Sequence, residues 1–232
     1  MKIKIFADGA DLISIKHHMN NQLVEGFTTN PTLMRKAGIT DYKAFAKEAL
    51  QIVGNKPISF EVFADDPKEM VRQAIIIGTW GGDNIYVKIP AMFTNGTPTY
   101  DVIEQLSRNG HKLNVTALFT TDQIKKVSDA IGINNDSIIS VFAGRIGDAG
   151  GDVDYIMTWA GTFLKGTKQE LLWASPRQVY DVVLAEKTGC KIITVTDEIL
   201  KKIPTLGKDL TQFSLETCQM FYNDAKASGF TI

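Results

Sequence analysis

Eight short segments with β-type sequence recur along this chain of 232 residues, and each is followed by a segment with helical periodicity. The segments are KIKIFAD, LVEGFTT, ISFEVFA, NIYVKIP, LNVTALF, IISVFAG, ELLWAS and KIITVT. Regular alternation of strands and helices predicts parallel strands joined by right-handed crossovers. Eight such units favour a closed (β/α)₈ TIM barrel, with residues 1–232 forming a single domain.

An open, doubly wound sheet is the alternative, and it usually carries a glycine-rich turn after its first strand. Here the first strand runs into ADGADL, and no G-x-G-x-x-G or Walker sequence follows any strand. The stretch GRIGDAGG, residues 144–151, has its glycines at other spacings. The α/β fold expected is therefore the barrel.

Helical periodicity predicts helices over YKAFAKEALQIV (Tyr42–Val53) and PKEMVRQAIIIG (Pro67–Gly78). A further helix is predicted over PRQVYDVVLAEK (Pro176–Lys187), where the proline suits the first helical position. Ser175 is the expected N-cap, and Gln178 would complete a capping box.

Composition excludes several classes of partner. The 25 basic and 26 acidic residues nearly cancel, so electrostatics favour neither nucleic acid nor an anionic membrane. No secretory leader is recognisable, and no segment approaches the roughly 20 apolar residues that cross a bilayer. We expect a cytoplasmic protein whose partners are small molecules or copies of itself.

Cysteine and histidine give no sign of a metal centre. Cys190 and Cys218 have neither metal-type nor redox-type spacing, which is typical of free thiols. His17 and His18 are adjacent on a predicted helix, and His111 lies in a predicted turn. We therefore expect no metal, no histidine-based triad and no cofactor.

A lysine occupies a position near the end of a buried strand in NIYVKIP. Ile85, Val87 and Ile89 share one face of this strand, and Tyr86 and Lys88 share the opposite face. Burial favours the neutral amine of a lysine, which is a nucleophile that forms a Schiff base with a carbonyl substrate. The alternative is a lysine that is ion-paired with Asp8 or Glu61, and such a pair is also compatible with a resting catalyst.

Other predicted strands also have polar residues near their C-terminal ends, on the face opposite their aliphatic residues. These positions are Asp8, Glu61, Asn114 with Thr116, and Ser140 with Phe142. Ala117 is assigned to the aliphatic face with Leu113 and Val115. Late positions of parallel strands converge at the C-terminal mouth of a barrel, so we expect the polar side chains to share one site.

The stretches FADGADL, GFTTNPTL, EVFADD, YVKIP, NVTALF and SVFAGRIGD resemble, in order, the transaldolase family. The similarity is greatest to its short subfamily, which includes fructose 6-phosphate aldolase. It implies a TIM barrel in which a strand-four lysine, here Lys88, forms a Schiff base that replaces a metal as electron sink. It also implies sugar phosphates as small-molecule partners and a ring-type homo-oligomer, a pentamer or decamer.

The resemblance also implies roles for individual residues. Asp8 matches an aspartate that transfers protons at the substrate hydroxyl, and Glu61 and Thr116 match the pair that positions a catalytic water. The substrate-binding residues are expected to be Thr28, Asn30, Asn114, Ser140, Phe142, Arg145 and Arg177. Within this set, Arg145 matches the arginine that binds the acceptor's phosphate.

Three positions favour transfer of a dihydroxyacetone unit over its release. Glu61 stands where the aldolase subgroup has a glutamine type, Asn114 keeps an N-x-T pattern, and Phe142 stands where that subgroup has a tyrosine. The resemblance therefore favours a transaldolase. A lyase that releases free dihydroxyacetone is the first alternative, and a non-catalytic sugar-binding barrel is the second.

One segment departs from the family pattern. A phosphate-binding serine is expected after strand seven, with an arginine two residues further on in the longer enzymes, whereas Leu172-Trp173-Ala174 stands here. These donors are predicted to be missing. Arg177 and nearby helix amides would compensate, or Arg177 is a surface charge.

An additional helix is predicted over residues 208–226, after the last strand. Leu210, Phe213, Thr217 and Phe221 form one apolar stripe, and Leu215, Cys218 and Tyr222 form another. Two stripes favour two packing partners, namely the home barrel and a neighbouring subunit. The alternative is a tail that folds entirely on its own domain.

Overall fold

Eight parallel strands close into a barrel in the computed structural model, which describes residues 2–229. The strands are β1 (Lys4–Asp8), β2 (Val24–Thr28), β3 (Ile58–Glu61), β4 (Ile85–Pro90), β5 (Leu113–Leu118), β6 (Ser137–Val141), β7 (Gln169–Trp173) and β8 (Ile192–Val195). Each strand pairs with the next, and β8 pairs with β1. The predicted TIM barrel is confirmed; residues 1 and 230–232 of the predicted domain lie outside the described part.

Helices follow the strands around the barrel. They are α1 (Leu12–Met19), α2 (Pro31–Lys36), α3 (Tyr42–Val53), α4 (Pro67–Gly78), α5 (Tyr100–Arg108), α6 (Thr121–Ile131), α7 (Ala143–Asp148), α8 (Val153–Phe163), α9 (Asp181–Lys187), α10 (Asp197–Lys202) and α11 (Leu210–Ala227). The predictions for α3 and α4 are confirmed at both ends. Asp41 and Asp66 cap these two helices by accepting backbone N–H groups of their first turns.

Alternation along the strands separates two apolar regions. Outward side chains such as Ile85, Val87 and Ile89 pack in the main core under the helices. Inside the barrel, a smaller group consists of Phe6, Ile138, Leu172, Ala174 and Ile192, with Tyr86 and Phe142 packed against it. Polar side chains follow three of these residues on the interior face, since Asp8, Ser140 and Thr194 each lie two residues after Phe6, Ile138 or Ile192.

The segment before α9 differs from its prediction, since this helix begins at Asp181 and not at Pro176. Ser175 has a φ of +61°, which is incompatible with the extended backbone of an N-cap. The Asp181 carboxylate instead accepts the backbone N–H groups of Arg177 at 2.6 Å and Gln178 at 3.3 Å. The first residues of the predicted helix therefore form a capped turn at the barrel mouth.

The predicted face of Ala117 is also wrong. Ala117 has a φ of +60°, and the pairing of β5 with β6 shifts between Val115 and Leu118. After this bulge, Leu118 pairs with Val141 and is fully buried in the outer core. The extra residue turns Ala117 away from the aliphatic face, as β-bulges do.

Helix α11 lies at the end of the described chain and buries none of its residues. Leu210, Phe213, Leu215, Met220, Phe221 and Tyr222 are each between 48% and 79% exposed. The predicted helix is thus present, and both of its apolar stripes are open. No helix within residues 2–229 combines the length and apolar character needed to cross a membrane.

Gly161 of α8 allows close contact with the chain before β8. A Cβ atom at this position would lie 2.1 Å from the Thr188 carbonyl oxygen. Alanine normally favours a helix over glycine, yet here we expect Gly161→Ala to lower the free energy of unfolding by about 2 kcal/mol. Chemical denaturation measures the effect, with Gly82→Ala as control because its Cβ would meet only the Asn84 side chain at 4.0 Å. An unchanged Gly161→Ala midpoint would contradict this packing.

Candidate active site

All eleven residues predicted for catalysis or substrate binding line one cavity of about 600 Å³ at the C-terminal mouth of the barrel. They are Asp8, Thr28, Asn30, Glu61, Lys88, Asn114, Thr116, Ser140, Phe142, Arg145 and Arg177. The volume is within the range that suits a small metabolite. The polar strand ends therefore converge, while the roles of the individual residues remain predictions.

Lys88 lies at the base of this cavity with both a carboxylate and a carbonyl beside its amine. Its Nζ is 3.2 Å from Glu61 Oε2 and donates to the Thr29 carbonyl oxygen at 3.2 Å. The Lys88 side chain is 10% exposed and that of Glu61 is 15% exposed. Strand register explains the pairing, because Glu61 and Lys88 are direct neighbours on β3 and β4.

Asp8, the last residue of β1, is a carboxyl group with altered proton affinity. Burial raises the pKa of Asp8, and this effect outweighs the opposing effects of the Lys88 charge and of hydrogen bonds with Thr28 and Asn30. Thr28 Oγ1 donates to Asp8 Oδ1 at 2.9 Å, and the Thr28 hydroxyl is also hydrogen-bonded to that of Thr194. A carboxyl that keeps its proton closer to neutral pH is suited to general acid–base chemistry.

The Asn30 side chain is held in place by a hydrogen bond that caps helix α2. Asn30 is the N-cap of α2, where its Oδ1 accepts the backbone N–H of Leu33 at 2.9 Å. The extended backbone of Asn30 and the proline at the start of α2 favour this cap. The amide nitrogen is left to face Asp8 and the cavity.

A chain of buried hydrogen bonds orients the Asn114 amide. Asn114 Nδ2 donates to Ser59 Oγ at 2.9 Å, and Ser140 Oγ donates to Asn114 Oδ1 at 2.7 Å. Thr116 follows on the same strand, and its buried hydroxyl has no hydrogen-bond partner within the described part of the chain. An unsatisfied buried hydroxyl at a cavity wall is suited to bind a water or a ligand group.

Backbone strain is concentrated around the cavity. Among the described residues, Ala117 and Ser175 are the two non-glycine residues with positive φ, and both line the cavity. Each such conformation costs about 1–3 kcal/mol and persists only where the surroundings enforce it. At Ser175 the backbone also lies close to Gly144, where a Cβ atom would be 1.6 Å from the Ser175 carbonyl oxygen, so only glycine permits this approach.

Two arginines stand at the outer part of the cavity. The Arg145 guanidinium lies over the Phe142 ring, 4.9 Å from its centroid. Arg177 Nε donates to both carboxylate oxygens of Asp148, at 3.0 and 2.9 Å. Hydrogen bonding from Arg177 lowers the pKa of Asp148, so this carboxylate stays ionised. The outer part of the site is suited to an anionic group.

A serine and an arginine do reach the cavity after strand seven, just beyond the segment of residues 172–174. Strand β7 ends at Trp173, and the turn that follows brings Ser175 and Arg177 to the cavity wall. They are two residues apart, the spacing expected above for a phosphate-binding pair, and their role stays a prediction. Leu172 and Ala174 instead pack in the barrel interior, and Trp173 packs in the outer core.

Five further polar residues of the cavity region were not predicted as site residues, namely Thr32, Lys36, Ser59, Ser175 and Thr194. Alternation along the strands would have indicated two of them: Ser59 shares the interior face with Glu61, and Thr194 is interior on β8. Thr32, Lys36 and Ser175 lie after strand ends, where alternation no longer applies. No group of three or more His, Cys, Asp and Glu side chains suited to a metal occurs within residues 2–229.

Comparison with known proteins agrees with this geometry. Residues 5–232 match the family described as Transaldolase/Fructose-6-phosphate aldolase. The chain belongs to this family. A probable transaldolase of Dehalococcoides mccartyi is 32% identical over 203 residues, which span 87% of this chain and 90% of that protein. A probable transaldolase of Lactiplantibacillus plantarum is 36% identical over 217 residues, spanning 91% and 95%.

Solved structures support the fold independently. The crystal structure of 2,3-dimethylmalate lyase, a member of the PEP mutase/isocitrate lyase superfamily, superimposes with a TM-score of 0.59. The superposition covers 99% of this chain and 84% of the lyase at 14% identity. At 14% identity, the superposition shows that the two proteins share the barrel fold but indicates nothing about their reactions.

Because burial raises the pKa of Asp8, the ionised form of this side chain should lower the stability of the folded protein. The native state binds this proton more tightly than the unfolded state, so stability falls as pH rises from the unfolded pKa towards the native one. Asp8→Asn should therefore raise the free energy of unfolding by about 1 kcal/mol at about pH 7 and by less at about pH 4. Thermal melts at both pH values measure this, with Asp83→Asn, at an exposed loop position, as control. A gain that is equal at both pH values would rule out the ionisation effect.

Proposed function

We propose that this chain is a transaldolase that transfers a dihydroxyacetone unit between sugar phosphates through a Schiff base on Lys88. The observation that carries the proposal is the Lys88 amine, buried within the cavity and held by Glu61 and the Thr29 carbonyl oxygen. Relatives described as probable transaldolases support the same reaction. The proposed chemistry requires no metal, because the iminium ion serves as the electron sink.

Imine formation begins at Lys88. The neutral amine attacks the ketone carbon of the donor, and loss of water from the carbinolamine leaves an iminium ion. Glu61 lies 3.2 Å from the amine and is placed to take its proton. The unpaired Thr116 hydroxyl is suited to hold the water that is released and later returned.

Carbon–carbon cleavage follows from the iminium ion. The bond between carbons 3 and 4 breaks, its electron pair enters the iminium system, and an enamine remains on Lys88. Asp8 accepts the proton of the carbon-4 hydroxyl as the aldose phosphate leaves. The acceptor aldehyde then reacts with the enamine, Asp8 returns the proton, and hydrolysis of the new iminium ion frees the ketose phosphate.

Substrate orientation is divided between the two parts of the cavity. Asn114 and Ser140 are linked by a 2.7 Å hydrogen bond and offer polar groups for the hydroxyls of the dihydroxyacetone unit. Arg145, Ser175 and Arg177 are suited to bind the phosphate at the other end. This arrangement fits an extended sugar phosphate with its ketone end in the barrel.

Release of free dihydroxyacetone is the alternative, because the family also contains fructose-6-phosphate aldolases. Phe142 favours transfer, since its ring lines the cavity without a hydroxyl that could handle water or protons. A water-poor wall prolongs the life of the enamine until an acceptor arrives. A non-catalytic sugar-binding barrel would gain nothing from the buried amine.

Borohydride reduction with fructose 6-phosphate tests the nucleophile. We expect covalent labelling at Lys88 by peptide mass mapping, and Lys88→Met should abolish both labelling and turnover because no other amine occupies its position. Lys68→Met, at an exposed position of α4, is the matched control and should retain both. Labelling elsewhere, or unchanged ligand binding with no labelling of the wild type, would exclude the proposal.

The products separate transfer from release. With fructose 6-phosphate and erythrose 4-phosphate, transfer gives a seven-carbon ketose phosphate and glyceraldehyde 3-phosphate. Release gives free dihydroxyacetone even without the acceptor. Chromatography of the two mixtures decides between these reactions.

We further propose that the protein forms a homo-oligomer, a ring-type pentamer or decamer, in which α11 packs on a neighbouring subunit. Support comes from the apolar side chains of α11, including Phe221 at 63% and Tyr222 at 67% exposure. Exposed apolar stripes of this kind mark interaction surfaces.

Light scattering tests the assembly. Phe221→Glu should lower the molar mass because it would bury an unpaired charge in the interface. Asn223→Glu, at an exposed position on the same helix, should leave the mass unchanged. A full chain that is monomeric, or a Phe221→Glu variant of wild-type mass, would exclude this use of the helix.

A further inference from the structure

Tyr42 lies outside the barrel wall and has no place in the mechanism above. It is the first residue of α3, and its hydroxyl donates to the Glu61 carbonyl oxygen at 3.1 Å. The Thr29 hydroxyl, on the neighbouring strand end, donates to the Ser59 carbonyl oxygen at 2.9 Å. Glu61 and Thr29 are the two residues that bind the Lys88 amine. The phenol therefore holds the backbone of one of the two residues that bind the nucleophile, namely Glu61.

The wall is weakly paired at this point. The registered pairing of β2 with β3 consists of Phe27 with Ile58 and Thr28 with Ser59. Thr29 is the residue after Thr28 on the β2 side, and Glu61 is the second residue after Ser59 on the β3 side. Tyr42 thus holds the end of β3 on the side that faces β2, beyond the last registered β2–β3 pair, while β4 supports the other side of Glu61.

Three aromatic side chains fix the ring of Tyr42. Phe63 lies 4.7 Å from it, Trp80 5.2 Å and Phe60 6.2 Å, measured between ring centroids. Phe60 and Phe63 flank Glu61 in the chain, so the ring and the end of β3 form one packed unit. Burial raises the pKa of Tyr42, so the phenol keeps its proton and donates at neutral pH.

We infer that Tyr42 is a positioning residue for Schiff-base formation. Its hydroxyl fixes the backbone of Glu61 at the end of β3, and thereby keeps the Glu61 carboxylate at the Lys88 amine. The inference rests on the proposed role of Lys88 as nucleophile. It predicts that loss of a single oxygen atom outside the cavity slows chemistry inside it, with little effect on substrate affinity.

Tyr42→Phe tests this inference and preserves the aromatic packing. Tyr100→Phe is a matched control, because Tyr100 is also the first residue of a helix and partly buried, and its hydroxyl makes no hydrogen bond within residues 2–229. The rate of borohydride trapping at Lys88 with saturating dihydroxyacetone should fall about fivefold to tenfold in Tyr42→Phe. The KM for fructose 6-phosphate should change less than about twofold, and Tyr100→Phe should match the wild type in both.

A double-mutant cycle distinguishes positioning from general stability. In a Glu61→Gln background, Tyr42→Phe should slow trapping by less than about twofold, because the carboxylate that it positions is gone. Melting temperatures of Tyr42→Phe and Tyr100→Phe should agree. A wild-type trapping rate in Tyr42→Phe, an undiminished loss in the Glu61→Gln background, or a loss that accompanies a much lower melting temperature would each overturn the inference. Absence of labelling at Lys88 in the wild type would instead overturn the proposed function.

Discussion

The placement of a lysine amine inside a ring of strands is the constraint on which the site depends. An ammonium group taken out of water without partners costs several kcal/mol, and here the Glu61 carboxylate and the Thr29 carbonyl supply partners at 3.2 Å. That pairing requires the observed register of β3 and β4, because a slip of one residue would turn Lys88 into the apolar layer under the helices. The fold and the reactive group therefore specify each other.

The barrel interior has two zones, and the apolar one sets the electrostatics of the polar one. Phe6, Ile138, Leu172 and Ile192 fill the interior below the polar residues. Asp8 and Ser140 each lie two residues after a member of this group. Such filling excludes water from below, so the carboxyl of Asp8 is desolvated and its pKa is raised. The same side chains thus stabilise the barrel and adjust its acid–base chemistry.

Alternation along the strands was enough to predict the barrel and to bring Lys88, Glu61 and Asn114 to one mouth, because regular pleated backbone fixes side-chain direction. Prediction failed where the backbone leaves that geometry. Ala117 and Ser175 have positive φ values, which depend on contacts such as that between Gly144 and the Ser175 carbonyl oxygen. The predicted start of α9 was wrong for the same reason, because Ser175 does not have the extended backbone of an N-cap. A capping signature depends on neighbouring residues in the sequence, whereas the backbone strain that overrides it depends on contacts between residues far apart in the sequence.

The two ends of the cavity differ in rigidity, and the difference fits the proposed transfer reaction. Lys88 and Asn114 are buried and hydrogen-bonded, so the end proposed to hold the three-carbon unit is fixed by its packing. Arg177 is instead paired with the exposed Asp148, and exposed pairs contribute little to stability. A phosphate can therefore replace the carboxylate at the guanidinium with little loss of folding energy. In the proposed reaction, aldose acceptors of different length would place their phosphates differently, and an exchangeable outer cation would accommodate them while the buried end keeps the reacting carbon fixed.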